Sequence, residues 1–387
     1  MSARVQLGMR RFSPVSSALA WLGLLCGLVV WLLPLLSGDA GSAGLLSQPM
    51  LAGLAFSALA ILALHRFSRQ GFGQYAALVL AAASLGLAQM LVRVISDHPG
   101  DAGPGFWLLV VMAWAIAWLQ VEEMAALSPR GEVARRALDL AVPLAFGVWL
   151  LILWQLLVTG FAVPKVLLPP PSDIWARGMA SLPQLWADFR QTFLKGVLIG
   201  YAIGCGSGFL VALLADRVDF LRRGLLPVGN LVSALPIIGI APIMVMWFGF
   251  DWPSKAAVVV VMTFFPMLVN TVAGLAAAGR IERDLMHTYA ASHAQTLVKM
   301  RLPLAMPFVF NALKINSTLA LIGAIVAEFF GTPIVGMGFR ISSEMGRMNV
   351  DMVWASIAVA ALAGSLFYGL VALVERAVTF WHPSVRG

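Results

Sequence analysis

The chain has 387 residues, of which 60% are hydrophobic and 11% charged, with a formal net charge of +8. Soluble globular domains carry about a quarter charged residues, so this composition excludes that class. Apolar stretches recur along the chain, and each is long enough for a helix to cross a hydrocarbon core about 30 Å thick. The sequence therefore predicts an all-α polytopic membrane protein.

Hydropathy predicts about ten transmembrane helices, taken here in chain order. They are expected near 18–36, 48–64, 74–92, 106–121, 138–159, 192–215, 225–249, 254–277, 304–330 and 353–375. The first is interpreted as a retained helix and not a secretory signal, because it exceeds the usual apolar length of a signal and further spans follow. Cys26 and Cys205 fall in different spans and are interpreted as buried apolar side chains, without a disulfide or a metal site.

The positive charge is unevenly distributed between the two sides of the membrane. With the N-terminus inside, the inside segments carry about two thirds of the 26 lysines and arginines. This is the positive-inside bias, so the charge predicts an orientation and no nucleic-acid partner. Both termini are expected in the cytoplasm.

Two membrane blocks are expected. Residues 1–121 form a four-helix N-terminal membrane block, residues 122–137 form a charged cytoplasmic linker, and residues 138–387 form a six-helix block. No internal repeat is evident, which disfavours the inverted-repeat architecture of many secondary transporters.

The segment 282–303 is a polar stretch on the expected cytoplasmic side. Its apolar periodicity predicts one helix, with Leu285, Tyr289, His293 and Leu297 on one face. We expect the helix to stop at Leu302–Pro303, where proline interrupts the hydrogen-bond ladder. Small side chains at its centre would allow another surface to approach closely, which indicates contact with a soluble partner.

Four motifs together resemble one family. They are LPPPSDIW (168–175), ALPIIGIAPIMVMWFGF (234–250), the 282–303 segment and AEFFGTPIVGMGFRI (327–341). Residues 138–387 are similar to the transmembrane permease subunit of bacterial binding-protein-dependent ABC importers. The resemblance is to the nitrate/sulfonate/taurine branch, which includes permeases for thiamine precursors and riboflavin. It does not cover the four N-terminal helices.

The resemblance implies that 282–303 is the coupling helix that docks an ABC ATPase. Asp284 stands at the family's glutamate, Ala290 at its glycine, and Ala291–Ser292 match as they are, whereas Leu285 and Met286 replace two alanines. The expected coupling residues are Asp284, Tyr289, Ala290, Ala291, Ser292, His293, Gln295, Thr296 and Lys299.

The resemblance also implies the partners. We expect a permease homodimer, two ATPase subunits and a periplasmic substrate-binding protein in the inner membrane. The sequence has no GxxxxGK[ST] phosphate loop. We therefore expect no cofactor and no catalytic residue in this chain, with ATP and magnesium held by the ATPase.

Polar residues in the span 304–330 and the loop after it are candidates for transport. The candidate pathway residues are Asn311, Lys314, Asn316, Ser317, Thr318 and Glu328, and the candidate docking residues for the binding protein are Arg340, Glu344 and Arg347. Interhelical hydrogen bonding is the alternative for the polar residues, and snorkelling or a shared structural role is the alternative for Lys314. For Glu328 we favour an ion pair with Arg340 over contact with substrate or binding protein.

The expected function is ATP-driven import of a small polar or heteroaromatic solute by alternating access. Few charged residues line the predicted pathway, which favours a thiamine-precursor-like nutrient. Nitrate, sulfonate or taurine remains the alternative within the branch. An ion-gradient-driven secondary transporter or a membrane scaffold without transport activity is the alternative of another class; the former needs titratable groups at mid-membrane.

Overall fold

A computed structural model of the chain describes residues 14–38, 41–67, 75–127, 129, 131–233, 236–331 and 334–381. The expected cytoplasmic ends of the chain, 1–13 and 382–387, lie outside the described residues. The chain divides into two compact units, Met1–Asp173 and Ile174–Gly387. Most of the described backbone is helical, as expected where lipid offers no hydrogen-bond partner for an open backbone.

Unit 1 is built on five long helices. They are α1 (Pro14–Val29), α2 (Pro49–Phe67), α3 (Ala76–Asp97), α4 (Pro104–Ala125) and α5 (Glu132–Gly160). Fully buried leucine and isoleucine side chains such as Leu62, Leu87 and Ile116 form its core.

A β-hairpin in unit 1 was not predicted from sequence. Strands β1 (Pro34–Gly38) and β2 (Gly41–Gly44) pair antiparallel, with Ser37 opposite Ser42. The Ser37 N–H also donates to the Asp101 carbonyl at 2.9 Å, so the hairpin is tied to the loop between α3 and α4. This short Gly- and Ser-rich connection is a poor helix former, and strand pairing satisfies its backbone groups instead.

Unit 2 begins within α6 and contains the remaining helices. They are α6 (Pro171–Ala180), α7 (Leu182–Phe189), α8 (Leu198–Arg217), α9 (Asp219–Ser233), α10 (Ile237–Phe248), α11 (Trp252–Ala276), α12 (Arg280–Thr288), α13 (His293–Thr296), α14 (Leu302–Glu328), α15 (Met337–Gly346) and α16 (Val350–Val378). A π-helical segment, Arg190–Val197, joins α7 to α8, and a second, Leu297–Arg301, joins α13 to α14.

Glycines allow α8 to lie close against α11. A Cβ added at Gly200 would lie 2.6 Å from Val259, and one at Gly208 would lie 2.5 Å from the Phe264 carbonyl oxygen. No side chain larger than hydrogen fits at either position without moving a helix. Close approach of α8 to α11 therefore depends on these glycines.

Nine helices of the described chain are long and apolar enough to cross a membrane, and they coincide with nine of the ten predicted spans. The tenth prediction, one helix over 225–249, is wrong. The structure has α9 and then α10, which is 12 residues long and begins after Pro236. Proline at that junction ends one helix and permits the next to begin in a new direction. Leu235 of the predicted Leu-Pro landmark lies outside the described residues.

Candidate functional site

Helix α12 presents an apolar stripe to its surroundings. Ile281, Leu285 and Tyr289 lie four residues apart, so they share one face, and they are 83%, 54% and 76% exposed. The hydrophilic remainder of α12 is exposed as well. A contiguous exposed apolar stripe on an otherwise polar helix is typical of a docking surface.

The single helix predicted over 282–303 is interrupted after α12. Ala290 has φ of 47°, the left-handed region that glycine adopts most readily, and it lies in the turn after Tyr289. Ser292 then caps α13, accepting from the Gln295 N–H at 3.3 Å, while the Gln295 side chain accepts from the Ser292 N–H at 2.8 Å. His293 and Leu297 therefore do not continue the Leu285–Tyr289 face.

The predicted stop at Pro303 is also wrong, because His293–Glu328 is one continuous helical segment of 36 residues. Proline removes an N–H donor and its ring displaces the carbonyl four residues earlier, here that of Lys299. That carbonyl belongs to the π-helical segment Leu297–Arg301, whose wider turn accommodates the ring. The α12–α13 turn therefore leads into α14 without a break in the helix.

Arg301 fixes the base of this segment to two other helices. Its guanidinium donates to the two carboxylate oxygens of Asp216 at 2.8 and 2.6 Å, and to the Leu275 carbonyl oxygen at 3.0 and 2.9 Å. Asp216 is near the end of α8 and Leu275 near the end of α11. Sequence analysis did not single out either charged residue; an arginine directly before Leu302–Pro303 was the available signal.

The expected coupling residues lie together around the α12–α13 turn. Asp284 and Tyr289 belong to the α12 end, and Ala290, Ala291 and Ser292 form the turn. The remaining four follow in α13 and the π-helical segment: His293, Gln295, Thr296 and Lys299. Of the nine expected coupling residues, Ala291 and Thr296 are partly buried and the other seven are exposed.

The polar residues of α14 divide into exposed and buried sets. Asn311 and Thr318 are exposed and share a stripe with Leu304, Phe308, Ile315 and Ile322. Asn316 and Ser317 are fully buried. The Asn316 amide donates to the Thr263 carbonyl oxygen at 2.8 Å and to Cys205 Sγ at 3.2 Å. Interhelical hydrogen bonding therefore describes Asn316, and Asn311 and Thr318 are available to face a pathway.

Lys314 is paired within the chain. Its Nζ lies 2.7 Å from a carboxylate oxygen of Glu375 in α16, and both side chains are mostly buried. The pair neutralises the cation that sequence analysis placed on the pathway. It also links α14 to α16.

The first turn of α15 receives two buried carboxylates, in a group that we call the α15 polar cluster: Asp188, Thr192, Glu328 and Arg340. The Gly336 N–H donates to Asp188 at 2.8 Å, the Gly338 N–H donates to Glu328 at 2.7 Å, and the Thr192 hydroxyl donates to Glu328 at 2.7 Å. Helix N-termini supply unpaired N–H groups that suit anions. The cluster thus joins four elements: α7, the π-helical segment Arg190–Val197, α14 and α15.

Arg340 pairs with Asp188 at 2.8 Å. The ion pair expected between Glu328 and Arg340 is therefore wrong, because Glu328 is satisfied by Thr192 and the α15 backbone. Arg340 and Glu344 are only 9% and 5% exposed. Neither reaches the surface in this conformation, so Arg347, whose side chain is 69% exposed, is the one expected docking residue that does.

Lys255 is a further buried cation that sequence analysis missed. Its Nζ donates to the Phe250 carbonyl oxygen at 2.5 Å and to the Gly331 carbonyl oxygen, so it joins the start of α11 to the end of α14. Nearby Asp251 caps α11 and accepts from the Trp252 N–H at 2.7 Å, which lowers the pKa of that carboxyl. A lysine three residues into an apolar span was the sequence signal.

Comparison with known proteins identifies relatives for most of unit 2. Residues 204–380 match the family described as binding-protein-dependent transport system inner membrane component. The formylaminopyrimidine transport permease ThiX of Halalkalibacterium halodurans is 30% identical over 64% of this chain and 98% of its own length. The riboflavin transport permease RibX of Chloroflexus aurantiacus is 30% identical over 66% of this chain and 96% of its own length.

The taurine transport permease TauC of Escherichia coli is 28% identical over 72% of this chain and 88% of its own length. All three relatives are transport permeases, and the described chain has nine apolar helices of spanning length. The protein is therefore an integral inner-membrane transport subunit of non-enzymatic type, in a family that works in general with an ATPase and a substrate-binding partner. The chain belongs to the family of binding-protein-dependent transport system inner membrane components, the permease subunits of ABC importers.

Proposed function

We propose that this permease works as a homodimer with two ATPase subunits and a periplasmic binding protein, importing a small polar or heteroaromatic solute by alternating access. The observation that carries the proposal is the exposed Ile281–Leu285–Tyr289 stripe beside the left-handed Ala290. Ala290 stands where the family has glycine, so the turn keeps the shape that the family's coupling segment needs. ATP and magnesium would be bound by the ATPase subunits and not by this chain.

Coupling would proceed by rigid-body movement. A short helix in a groove of the ATPase moves with that groove. The continuous segment His293–Glu328 carries the displacement into α14, and the Arg301–Asp216 contact carries it into α8. Asp284, Ser292, His293, Gln295 and Lys299 are the polar groups we assign to the ATPase contact around this apolar stripe, with Ala291 and Thr296 supporting the turn.

The exposed stripe of α14 supports the homodimer and the pathway. Its members alternate four and three residues apart, the spacing of a helix face that meets another helix. They are Leu304, Phe308, Asn311, Ile315, Thr318 and Ile322. We assign this stripe to the central pathway beside the second permease copy.

The chemistry of that stripe supports an uncharged solute. Asn311 and Thr318 are neutral, their neighbours are apolar, and Lys314 is neutralised by Glu375. A neutral or heteroaromatic solute would cross such a surface without leaving a charge unpaired. The names of two relatives, for formylaminopyrimidine and riboflavin, point to the same class.

A sulfonate such as taurine is the second candidate substrate, favoured by the likeness to the taurine permease. In that case the binding protein would recognise the negative charge of the sulfonate, since the described stripe of α14 carries no exposed cation. The ion-driven transporter and the scaffold draw no support from these relatives.

The orientation that we propose has both termini in the cytoplasm. It requires one crossing between α8 and α11, which α9 and α10 would provide in two pieces. Arg222 and Arg223 of α9 would then lie on the cytoplasmic side, in agreement with the positive-inside bias.

The experiment is uptake by proteoliposomes that contain the permease, its partner ATPase and its binding protein. The solute panel is a formylaminopyrimidine, riboflavin, taurine and bicarbonate, each with ATP or with a non-hydrolysable analogue. We expect ATP-dependent uptake of a heteroaromatic solute. ATP-dependent uptake of taurine alone would replace the substrate assignment, and uptake without ATP hydrolysis would overturn the proposal.

A further inference from the structure

Helix α5 is attached to unit 1 by its C-terminal half. The buried residues of α5 are Trp149, Leu156, Val158 and Gly160. Trp149 and Leu156 belong to the same apolar core as buried side chains of α1 to α4. The half before Trp149 has no buried residue in the described structure. We call residues 149–160 the held half of α5 and residues 132–148 its free half.

The end of the held half is fixed by close contacts to α4 and to the loop before it. The Trp107 ring lies against Gly160, where an added Cβ would come within 2.8 Å of the ring. Phe161 stacks on the same ring, with centroids 4.3 Å apart and planes inclined by 19°. The Gly100 N–H donates to the Thr159 carbonyl oxygen at 3.2 Å. Aromatic packing and a backbone hydrogen bond thus secure this end of α5.

The free half of α5 is not packed closely on α4. A cavity of about 250 Å³ separates the two helices there, and its α4 wall runs from Trp114 to Ala125. Phe146 and Trp149 are the residues that α5 contributes to its lining. A segment with few buried apolar contacts moves at low cost in free energy. Unit 1 therefore constrains the free half much less than the held half.

The backbone of α5 is weakest where the two halves meet. Pro143 has no N–H, so the Asp139 carbonyl oxygen lacks its helical donor. Gly147, one turn later, lowers the stability of the helix further. Sharp kinks in long helices occur most often at proline. The region from Pro143 to Gly147 can therefore bend between the held half and the free half.

The relatives share α5 but not the helices before it. The match to RibX covers 66% of the 387 residues, which is more than the chain contains after α5, so it includes residues of α5. ThiX is matched over 98% of its own length but over only 64% of this chain. A match of that size that includes the family region 204–380 leaves α1 to α4 outside it. The four N-terminal helices thus hold a helix that belongs to the shared permease.

We propose that α1 to α4 clamp the held half of α5, so that this half stays fixed to α4 while the free half bends at the Pro143–Gly147 region during transport. The clamp is a function for the four helices that are absent from ThiX. The inference rests on the proposed alternating access. The helices α1 to α4 and the held half form one rigid body, and the Pro143–Gly147 region is its hinge.

The test measures distances between spin labels in the full complex of permease, ATPase and binding protein in nanodiscs. The complex is compared without nucleotide and with ATP bound but not hydrolysed. Cys26 and Cys205 are buried, and both are replaced by alanine so that only introduced cysteines carry labels.

Two label pairs report on the two halves of α5 at exposed positions. Val111→Cys with Leu157→Cys joins α4 to the held half, and Ala125→Cys with Leu140→Cys joins α4 to the free half. We expect the first distance to be the same in both states and the second to shift. An equal shift of both distances would overturn the clamp, as would two constant distances in a complex that hydrolyses ATP.

A matched pair of glycine variants tests the contact itself. Gly160→Leu should displace the Trp107 ring, make the held-half distance depend on the state, and lower uptake per ATP at least threefold. Gly53→Leu in α2, with nothing within 4 Å of an added Cβ, should change neither quantity. Trp107→Leu removes the ring without adding bulk at Gly160 and should act like Gly160→Leu. Normal distances and normal uptake in both contact variants would contradict the inference.

The melting temperature separates this inference from the proposed function. A parent complex without ATP-dependent uptake contradicts the proposed function, and the clamp is then judged on the full chain alone. Gly160→Leu should lower the melting temperature more than Gly53→Leu does. Equal melting temperatures of these two variants would overturn the clamp whether or not the complex transports.

Discussion

Arg301 and Asp216 form a two-pronged contact, with guanidinium nitrogens 2.8 and 2.6 Å from the two carboxylate oxygens. Asp216 is near the C-terminal end of α8, where the helix dipole disfavours a carboxylate, and Arg301 compensates for it. The contact joins the base of the α12–α13 segment to a helix that is distant in sequence. It ties the segment to α8 through two charge-assisted hydrogen bonds.

Replacing Arg301 by Lys tests this link, because lysine keeps the charge but loses the planar fork. We expect ATP hydrolysis to continue while solute uptake per ATP falls at least threefold. Arg301→Ala should lower the uptake per ATP further, since breaking a buried ion pair costs about 3–5 kcal/mol of stability. Uptake and hydrolysis are measured together in proteoliposomes, with Arg376→Lys and Arg376→Ala, at an exposed arginine of α16, as the controls. An unchanged ratio in the lysine variant would remove Arg301 from the coupling route.

The left-handed Ala290 gives a second prediction. A non-glycine residue in this region costs about 1–2 kcal/mol, so Ala290→Gly should retain full uptake and raise the thermal stability slightly. Ala290→Val should abolish uptake, because a β-branched residue is poorly tolerated at φ of 47°. Ala294→Val, in the helical turn that follows, is the matched control and should remain active. Normal uptake with valine at position 290 would contradict the described turn.

The Lys314–Glu375 ion pair gives a third prediction. Removing one partner leaves an unpaired charge on a spanning helix, which costs about 2.5–3.5 kcal/mol. Lys314→Met or Glu375→Leu alone should therefore lower the amount of folded permease in the membrane at least fivefold. The double variant should recover most of the loss. If the single variants behave like the parent chain, the 2.7 Å pair does not contribute to stability.

Gly336 gives a fourth prediction about the α15 polar cluster. Its φ is 147°, and an added Cβ would lie 2.7 Å from the Glu328 carboxylate. Gly336→Ala should lower the melting temperature by several degrees, because strain at such a position costs about 1–3 kcal/mol. Gly346→Ala, at the other end of α15 with nothing within 4 Å of its added Cβ, should change it little. A larger effect at Gly346 than at Gly336 would contradict the described packing.

Nine of the ten predicted spans and the family are confirmed, because long apolar runs and local motifs carry those signals directly. Ion pairs between residues that are distant in the sequence were not predicted. Nothing near Arg340 indicated that its partner would be Asp188, and nothing near Lys314 indicated Glu375. The apolar periodicity predicts one helix through Ala290, because the spacing of side chains carries no information about the backbone φ angle of that residue. Pro303 does not end the helix, because the π-helical turn before it accommodates the proline ring.

We propose that the exposed stripe of α12 couples this permease to an ATPase. The most direct measurement is ATP-dependent uptake by the reconstituted complex with Leu285→Asp, compared with His287→Gln, an exposed residue of the same helix outside the stripe. We expect the Leu285 variant to lose ATPase co-purification and to fall to less than a tenth of the parent uptake, while the chain remains folded in the membrane. Full uptake and normal ATPase binding by the Leu285 variant would contradict the account.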